Sequence, residues 1–116
     1  MGPGGGMAER LERGEVRLFR FPSPDKQRPV LVLTRASALR YLSRVTVAPI
    51  TSTIRGVPSE VLLGADDGMK APCAINLHNV VTVPQAGLGR RLATLAPRRM
   101  RDVCAALAFA LGCDAG

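Results

Sequence analysis

The chain predicts a mainly β fold with helices (α+β), a small barrel or sandwich of short strands with one amphipathic helix at its C-terminal end. Short β-branched runs alternate with turns rich in Gly and Pro. A single segment, from Pro97 to Leu111, keeps a helical repeat over several turns. Of the 116 residues 47% are hydrophobic but only 3% are aromatic, so the core has to be built from Val, Leu, Ile and Ala. At this length the chain makes one domain that needs no staples.

The elements follow in order. Residues 1–12, with the glycine cluster Gly2–Gly6, read as a flexible leader, residues 13–113 as the domain and 114–116 as a tail. Glu15–Phe21 (EVRLFRF) alternates as a strand with both faces partly covered. Pro22-Ser23-Pro24-Asp25-Lys26 is a turn-rich loop. Arg28-Pro29 then feeds Val30–Thr34, a run suited to an interior strand. Ala36–Ser43 has Leu39 and Leu42 at helical spacing and makes one or two turns. Arg44–Ile50 is the next strand, where Pro49 marks a bulge or an edge. Thr51–Val57 is a polar loop and Ser59–Leu63 a strand, and Asp67-Gly68 makes a turn. Cys73–Val83 reads as one longer strand interrupted by Asn76, His78 and Asn79, and Pro84–Arg91 as a loop. The final helix opens with Pro97 and closes at Gly112. Its apolar face is Met100, Val103, Cys104, Leu107, Ala108 and Leu111, which makes Cys104 a small core residue.

Charge and motifs narrow the function. The net charge is +7, and of the 16 basic residues all but Lys26 and Lys70 are arginine. An Arg-rich basic domain suits a polyanionic partner, although a genome that prefers Arg would leave the same mark. The three cysteines, Cys73, Cys104 and Cys113, form no CxxC pair, so neither a disulfide framework nor a zinc site is indicated. Cys113 is the thiol best placed to react. A single His, scattered carboxylates and the absence of a phosphate-binding glycine loop argue against metal-assisted hydrolysis and nucleotide cofactors, so no cofactor is expected. Glu15 and Glu60 are the one carboxylate pair that could serve as acid and base, provided they meet. No apolar run is long enough to span a bilayer, and the start has no signal-peptide core; a soluble cytoplasmic protein is expected.

Two strand ends carry polar groups suited to phosphate. Arg28 precedes one run, and Thr51, Ser52, Thr53 and Arg55 follow another. RNA brings its own nucleophile, the 2′-hydroxyl. A protein then has only to align that group, stabilise charge on the phosphorane and protonate the leaving oxygen. Arg28 could supply a forked cationic donor and Thr51 a hydroxyl, while Asn76, His78 and Asn79 could read base edges or orient the backbone. Each has a plainer role as well: Arg28 as a solvated strand-entry residue, the Thr-Ser-Thr run as a turn, His78 as a structural hydrogen-bonding group. Arg90, Arg91, Arg98, Arg99 and Arg101 are either a solvated helix start or a seat for an anionic partner, because cations oppose the dipole there.

The order of Arg13-Gly14-Glu15-Val16, Arg28-Pro29-Val30-Leu31-Val32-Leu33, Val47-Ala48-Pro49-Ile50-Thr51-Ser52 and the ending Leu107 to Gly112 resembles the MazF/PemK/Kid family of toxin endoribonucleases, over about Arg13 to Cys113. The resemblance implies an SH3-like β-barrel (CcdB/MazF-like) working as a homodimer and cutting single-stranded RNA without metal, through 2′-hydroxyl attack. It assigns Arg28 as the catalytic arginine and Thr51 as its hydroxyl partner, and it implies a cognate antitoxin with an acidic tail that occupies the RNA groove. The loop over residues 22–27 is shorter than is usual in such proteins, and His78-Asn79 stands where Asp-Gln is common. Both places help choose the RNA sequence, so the resemblance does not extend to the target. A gyrase-poisoning toxin of the CcdB type would need a Trp-containing tail, and this chain has no Trp. A non-catalytic barrel binding nucleic acid or protein is the other alternative.

Overall fold

The computed structural model describes residues 10–22 and 27–113. The readings of the first nine residues, of the loop over residues 23–26 and of the tail lie outside the described residues. The described chain forms seven antiparallel strands: β1 (Glu15–Arg20), β2 (Gln27–Val32), β3 (Arg44–Thr51), β4 (Glu60–Leu63), β5 (Cys73–Asn76), β6 (Val81–Pro84) and β7 (Leu88–Thr94). A short helix α1 (Ala36–Leu39) joins β2 to β3, and α2 (Pro97–Leu111) closes the fold. The sheet runs β4-β5-β3-β2-β1-β7, and β6 also pairs with β3. The sheet is not closed by a bond between its end strands, β4 and β7.

β3 is the hub. One edge holds β2, through Val47 to Pro49. The other edge holds β6 against Arg44 to Val47 and then β5 against Ile50 and Thr51. The expected strand from Cys73 to Val83 is therefore two strands. They are separated by a 3₁₀ turn, Leu77–Asn79, in which the Asn76 side chain accepts the His78 N–H at 3.2 Å. Asn commonly bends its own backbone this way, and the break lets one stretch of chain follow the whole of β3 around its curve. Pro49 is not on an edge strand. It sits opposite Val30, where β3 has left β6 and has not yet met β5, so its missing N–H breaks no ladder bond on that side.

The stretch Pro84–Arg91, expected to be a loop, is instead the end of β6, a 3₁₀ turn over Gln85–Gly87 and, from Leu88, the first half of strand β7, paired with β1. Its glycines mark close approach. A Cβ at Gly87 would lie 3.0 Å from the Phe19 ring, and one at Gly89 would lie 3.3 Å from the Leu18 carbonyl oxygen.

Both faces of the central strands are covered, because successive side chains alternate. Leu31, Ala48 and Ile50 join Val16, Ile75 and Leu77 beneath α2, whereas Val30, Val32, Val45 and Val47 join Leu11, Leu39 and Val83 on the side of α1. On α2 the buried residues are Met100, Val103 and Ala106. That spacing rotates the packed face away from residue 104: Cys104 is exposed and its sulfur accepts from the Arg13 guanidinium at 3.2 Å, which corrects its assignment to the core. Gly112 ends the helix at φ 77°, a left-handed conformation that glycine adopts without penalty.

Candidate active site

β2 and β3 pair as Val30–Pro49, Leu31–Ala48 and Val32–Val47. Carrying that register two residues outward sets Arg28, near the start of β2, opposite Thr51, the last residue of β3. Both residues line a cleft of about 640 Å³, and both also line an adjoining cleft of about 260 Å³. The same pair therefore stands on the ridge between two depressions. Rigid strand ends, anchored by the fully buried Val30 and nearly buried Ile50, hold it there.

Thr51 is half-buried, and its Oγ1 accepts the N–H of Thr53 at 3.0 Å. With a lone pair so engaged, its O–H proton can point toward a ligand oxygen. Ser52 lines the larger cleft, and Thr53, Arg55, Asn76 and Asn79 line the smaller one. The loop after β3 is held by Glu60, whose carboxylate accepts the N–H groups of Arg55 at 3.0 Å and Gly56 at 2.9 Å. Glu60 is thus occupied with its own loop, and Glu15 is engaged by Arg17 and Arg91; the acid–base pairing of the two is not formed. His78 is exposed and lines neither cleft. Its Nδ1 lies 2.5 Å from the buried Ser59 hydroxyl, which fixes the ring.

The walls of the larger cleft include residues that sequence reasoning did not place. Lys70, Arg90 and Arg91 join Arg28 there, and among the described residues no carboxylate lines this cleft. From the sequence Arg90 and Arg91 are either part of a solvated helix start or part of a seat for an anionic partner, with no cleft assigned to them. Both reach one cleft because β7 bulges: Phe19 pairs with Leu88 and Arg17 with Arg91, so β7 carries an extra residue and the normal alternation fails. Arg99, by contrast, is turned inward, bound to Asp67 at 2.9 Å and to Asp102 at 3.0 Å. This tie pins the turn that carries Gly68, Met69 and Lys70 into the cleft wall. Burial opposes the charge on Asp67, but the hydrogen bonds from Arg99 and Gly64 outweigh it and hold the carboxyl below its usual range. Cys73, also on the cleft wall, is pushed the other way by burial and by the charge of Asp67, so it remains a neutral thiol and a poor nucleophile. Among the described residues no group of three or more His, Cys, Asp or Glu is placed to hold a metal ion.

Comparison with known proteins bears on the fold and the family. The chain is 47% identical over 89 residues to a probable endoribonuclease MazF5 of Mycobacterium tuberculosis, covering 76% of this chain and 82% of that protein. Its fold matches the structure of the Mycobacterium tuberculosis toxin MazF-mt6 with a TM-score of 0.77 at 35% identity, over 84% of this chain and 96% of that one. It also matches an endoribonuclease in complex with its cognate antitoxin from a mycobacterial species, with a TM-score of 0.78 at 27% identity, over 88% and 95% of the two chains. The profile of one protein family, described as PemK-like, MazF-like toxin of type II toxin–antitoxin system, matches residues 12–111. With nearly the whole described fold accounted for, the chain belongs to the PemK-like, MazF-like toxins of type II toxin–antitoxin systems.

Proposed function

We propose that this toxin is a metal-independent endoribonuclease that cuts single-stranded RNA by attack of the 2′-hydroxyl, leaving a 2′,3′-cyclic phosphate. The observation that carries the reading is the placement of Arg28 and Thr51 together on one ridge of a cleft that Lys70, Arg90 and Arg91 also line. In this mechanism the cleft aligns the ribose oxygen with the phosphorus. The Arg28 guanidinium balances the charge that grows on the non-bridging oxygens, and the Thr51 hydroxyl donates a hydrogen bond to one of them. The 2′-hydroxyl gives its proton to solvent water as its oxygen bonds to phosphorus, the bond to the 5′-oxygen breaks, and that leaving oxygen takes a proton from solvent water. Ser52, Thr53, Arg55, Asn76 and Asn79 contact the flanking nucleotides, and His78 stands at the margin of that surface. The relatives' names support the activity, and the complex of a structural relative with its antitoxin supports binding of a cognate antitoxin, which would inhibit by laying an acidic segment in the basic cleft. The protein works as a homodimer in the cytoplasm; no helix among the described residues is long and apolar enough to cross a membrane.

The test is incubation of the purified protein with single-stranded RNA in EDTA, with end-group analysis of the products. Cleavage with cyclic phosphate ends is expected, and Arg28→Ala should reduce the rate by at least about 10²-fold while the fold survives. Intact RNA with retained binding would make the protein a binding module instead. Undiminished cutting by the variant would remove Arg28 from the chemistry.

A further inference from the structure

Resting on the nuclease reading of this cleft, we propose that Arg91 holds a second phosphate of the bound strand, flanking the scissile one, and that the buried Glu15 is the residue that positions it. Glu15 is only 2% exposed. One of its oxygens, Oε1, is taken by the Arg17 guanidinium, with Nε and a terminal nitrogen each at 2.9 Å, and by the Glu12 N–H at 3.2 Å. Arg17 is itself buried and also donates to the Gly89 carbonyl at 2.9 Å, so it is fully spent inside the fold. The other oxygen, Oε2, lies 3.5 Å from Arg91, whose side chain remains 61% exposed on the cleft wall.

One carboxylate facing two guanidiniums leaves one positive charge unbalanced, and it belongs to the group that meets solvent. The buried charge is already matched by Arg17 through shorter contacts, so neutralising Glu15 does not require Arg91. A guanidinium has five N–H donors in a fixed fork: it can rest one edge on Glu15 and present the other to an anion, whereas a lysine offers one compact ammonium without two separate planar edges. The seat is also distinct from that of Arg28. Arg28 stands opposite Phe19 on β1, and Glu15 lies four residues further along that strand, about 13 Å away. A tether at Glu15 therefore draws Arg91 away from the Arg28 row, toward the path of a neighbouring phosphate.

The experiment uses a single-stranded RNA that the wild-type protein cuts, and the same strand with a 2′-deoxy nucleotide at the scissile position for binding. Arg91→Ala should raise KM roughly tenfold with kcat little changed, as loss of one charge-assisted contact outside the reacting centre. The slope of log Kd against log salt should become shallower by about 0.7, the share of one phosphate on a single strand. Arg91→Lys should restore the slope, because the charge is kept, but not the KM, because the bridge from Glu15 is lost. Arg101→Ala, on the outer side of α2, should change neither. Unchanged KM and slope in Arg91→Ala would overturn the phosphate seat. Wild-type KM in Arg91→Lys would overturn the role of Glu15, and an equal effect of Arg101→Ala would reduce the seat to diffuse attraction. Those results differ from failure of the nuclease reading, in which the wild-type protein cuts no RNA at all.

Discussion

Asp67→Asn should destabilise the protein by about 2 kcal/mol at neutral pH, a figure that follows from its surroundings. The Asp67 side chain is 5% exposed and that of Arg99 is 22%. One carboxylate oxygen receives Arg99 Nε at 2.9 Å; the other receives the Gly64 N–H at 3.0 Å and a second Arg99 nitrogen at 3.4 Å. An amide of the same shape keeps one oxygen and turns a donor toward one of these donors, so at least one charge-assisted bond is lost. Such a bond contributes a net ~1.5–3 kcal/mol. The pair is more sheltered than an exposed ion pair, worth ~0–1 kcal/mol, and less buried than one whose breaking costs ~3–5 kcal/mol. In a domain of this size 2 kcal/mol corresponds to a drop of roughly 10 °C in Tm. The pH dependence has a definite sign. The folded carboxyl is held below its ordinary value of 3.8, so its contribution is complete above that pH and is lost as pH falls through the lower folded value. Urea unfolding of both proteins, stepped from pH 7 to pH 3, should show a gap of about 2 kcal/mol that narrows below pH 3.8. A gap under about 0.5 kcal/mol at pH 7 would mean that this tie does not hold the turn, since that is the scatter of neutral surface changes. A gap that persists unchanged at pH 3 would refute the ionic origin of the effect.

Two further expectations test the site and the packing. Thr51→Val keeps the side-chain volume and removes the hydroxyl, so RNA cleavage should fall by about 10²-fold with Tm little altered, and Thr51→Ser should recover most of it; a rate for the valine variant within twofold of wild type would exclude the hydroxyl from catalysis. Met100→Ala empties a position beneath α2 that is 8% exposed and should cost about 2–5 kcal/mol in urea unfolding; a loss below about 1 kcal/mol would show that α2 is not seated on the sheet as described.

Much of the fold was legible in the sequence because the signals were local. Alternation marked β1, short apolar runs marked β2 to β4, and Pro97 and Gly112 bracketed α2. The errors lie where tertiary contacts overrode local pattern. β7 reads as a loop because Gly87 and Gly89 resemble turn residues, yet they serve the close approach of β1. Cys104 fits an apolar helical face, but the sheet meets only the narrower stripe of Met100, Val103 and Ala106. The site was partly readable: Arg28 and Thr51 flank strand-like runs and do line one cleft. Lys70 was not, and Arg90 and Arg91 stayed undecided between solvated helix start and anionic seat, since nothing local distinguishes a basic residue on a cleft wall from a solvated one.

The sequence by itself determined β1 to β4, the closing helix, the basic charge and the polar strand ends, because these depend on periodicity, turn chemistry and composition within a few residues. The tertiary structure alone decided that one edge of β3 takes two strands, that a bulge in β7 turns consecutive arginines into the same cleft, and that Glu15 lies buried between two guanidiniums. The physical reason is that register, sheet curvature and the burial of charge are set by residues far apart in the chain, whose energies exist only once the strands have come together.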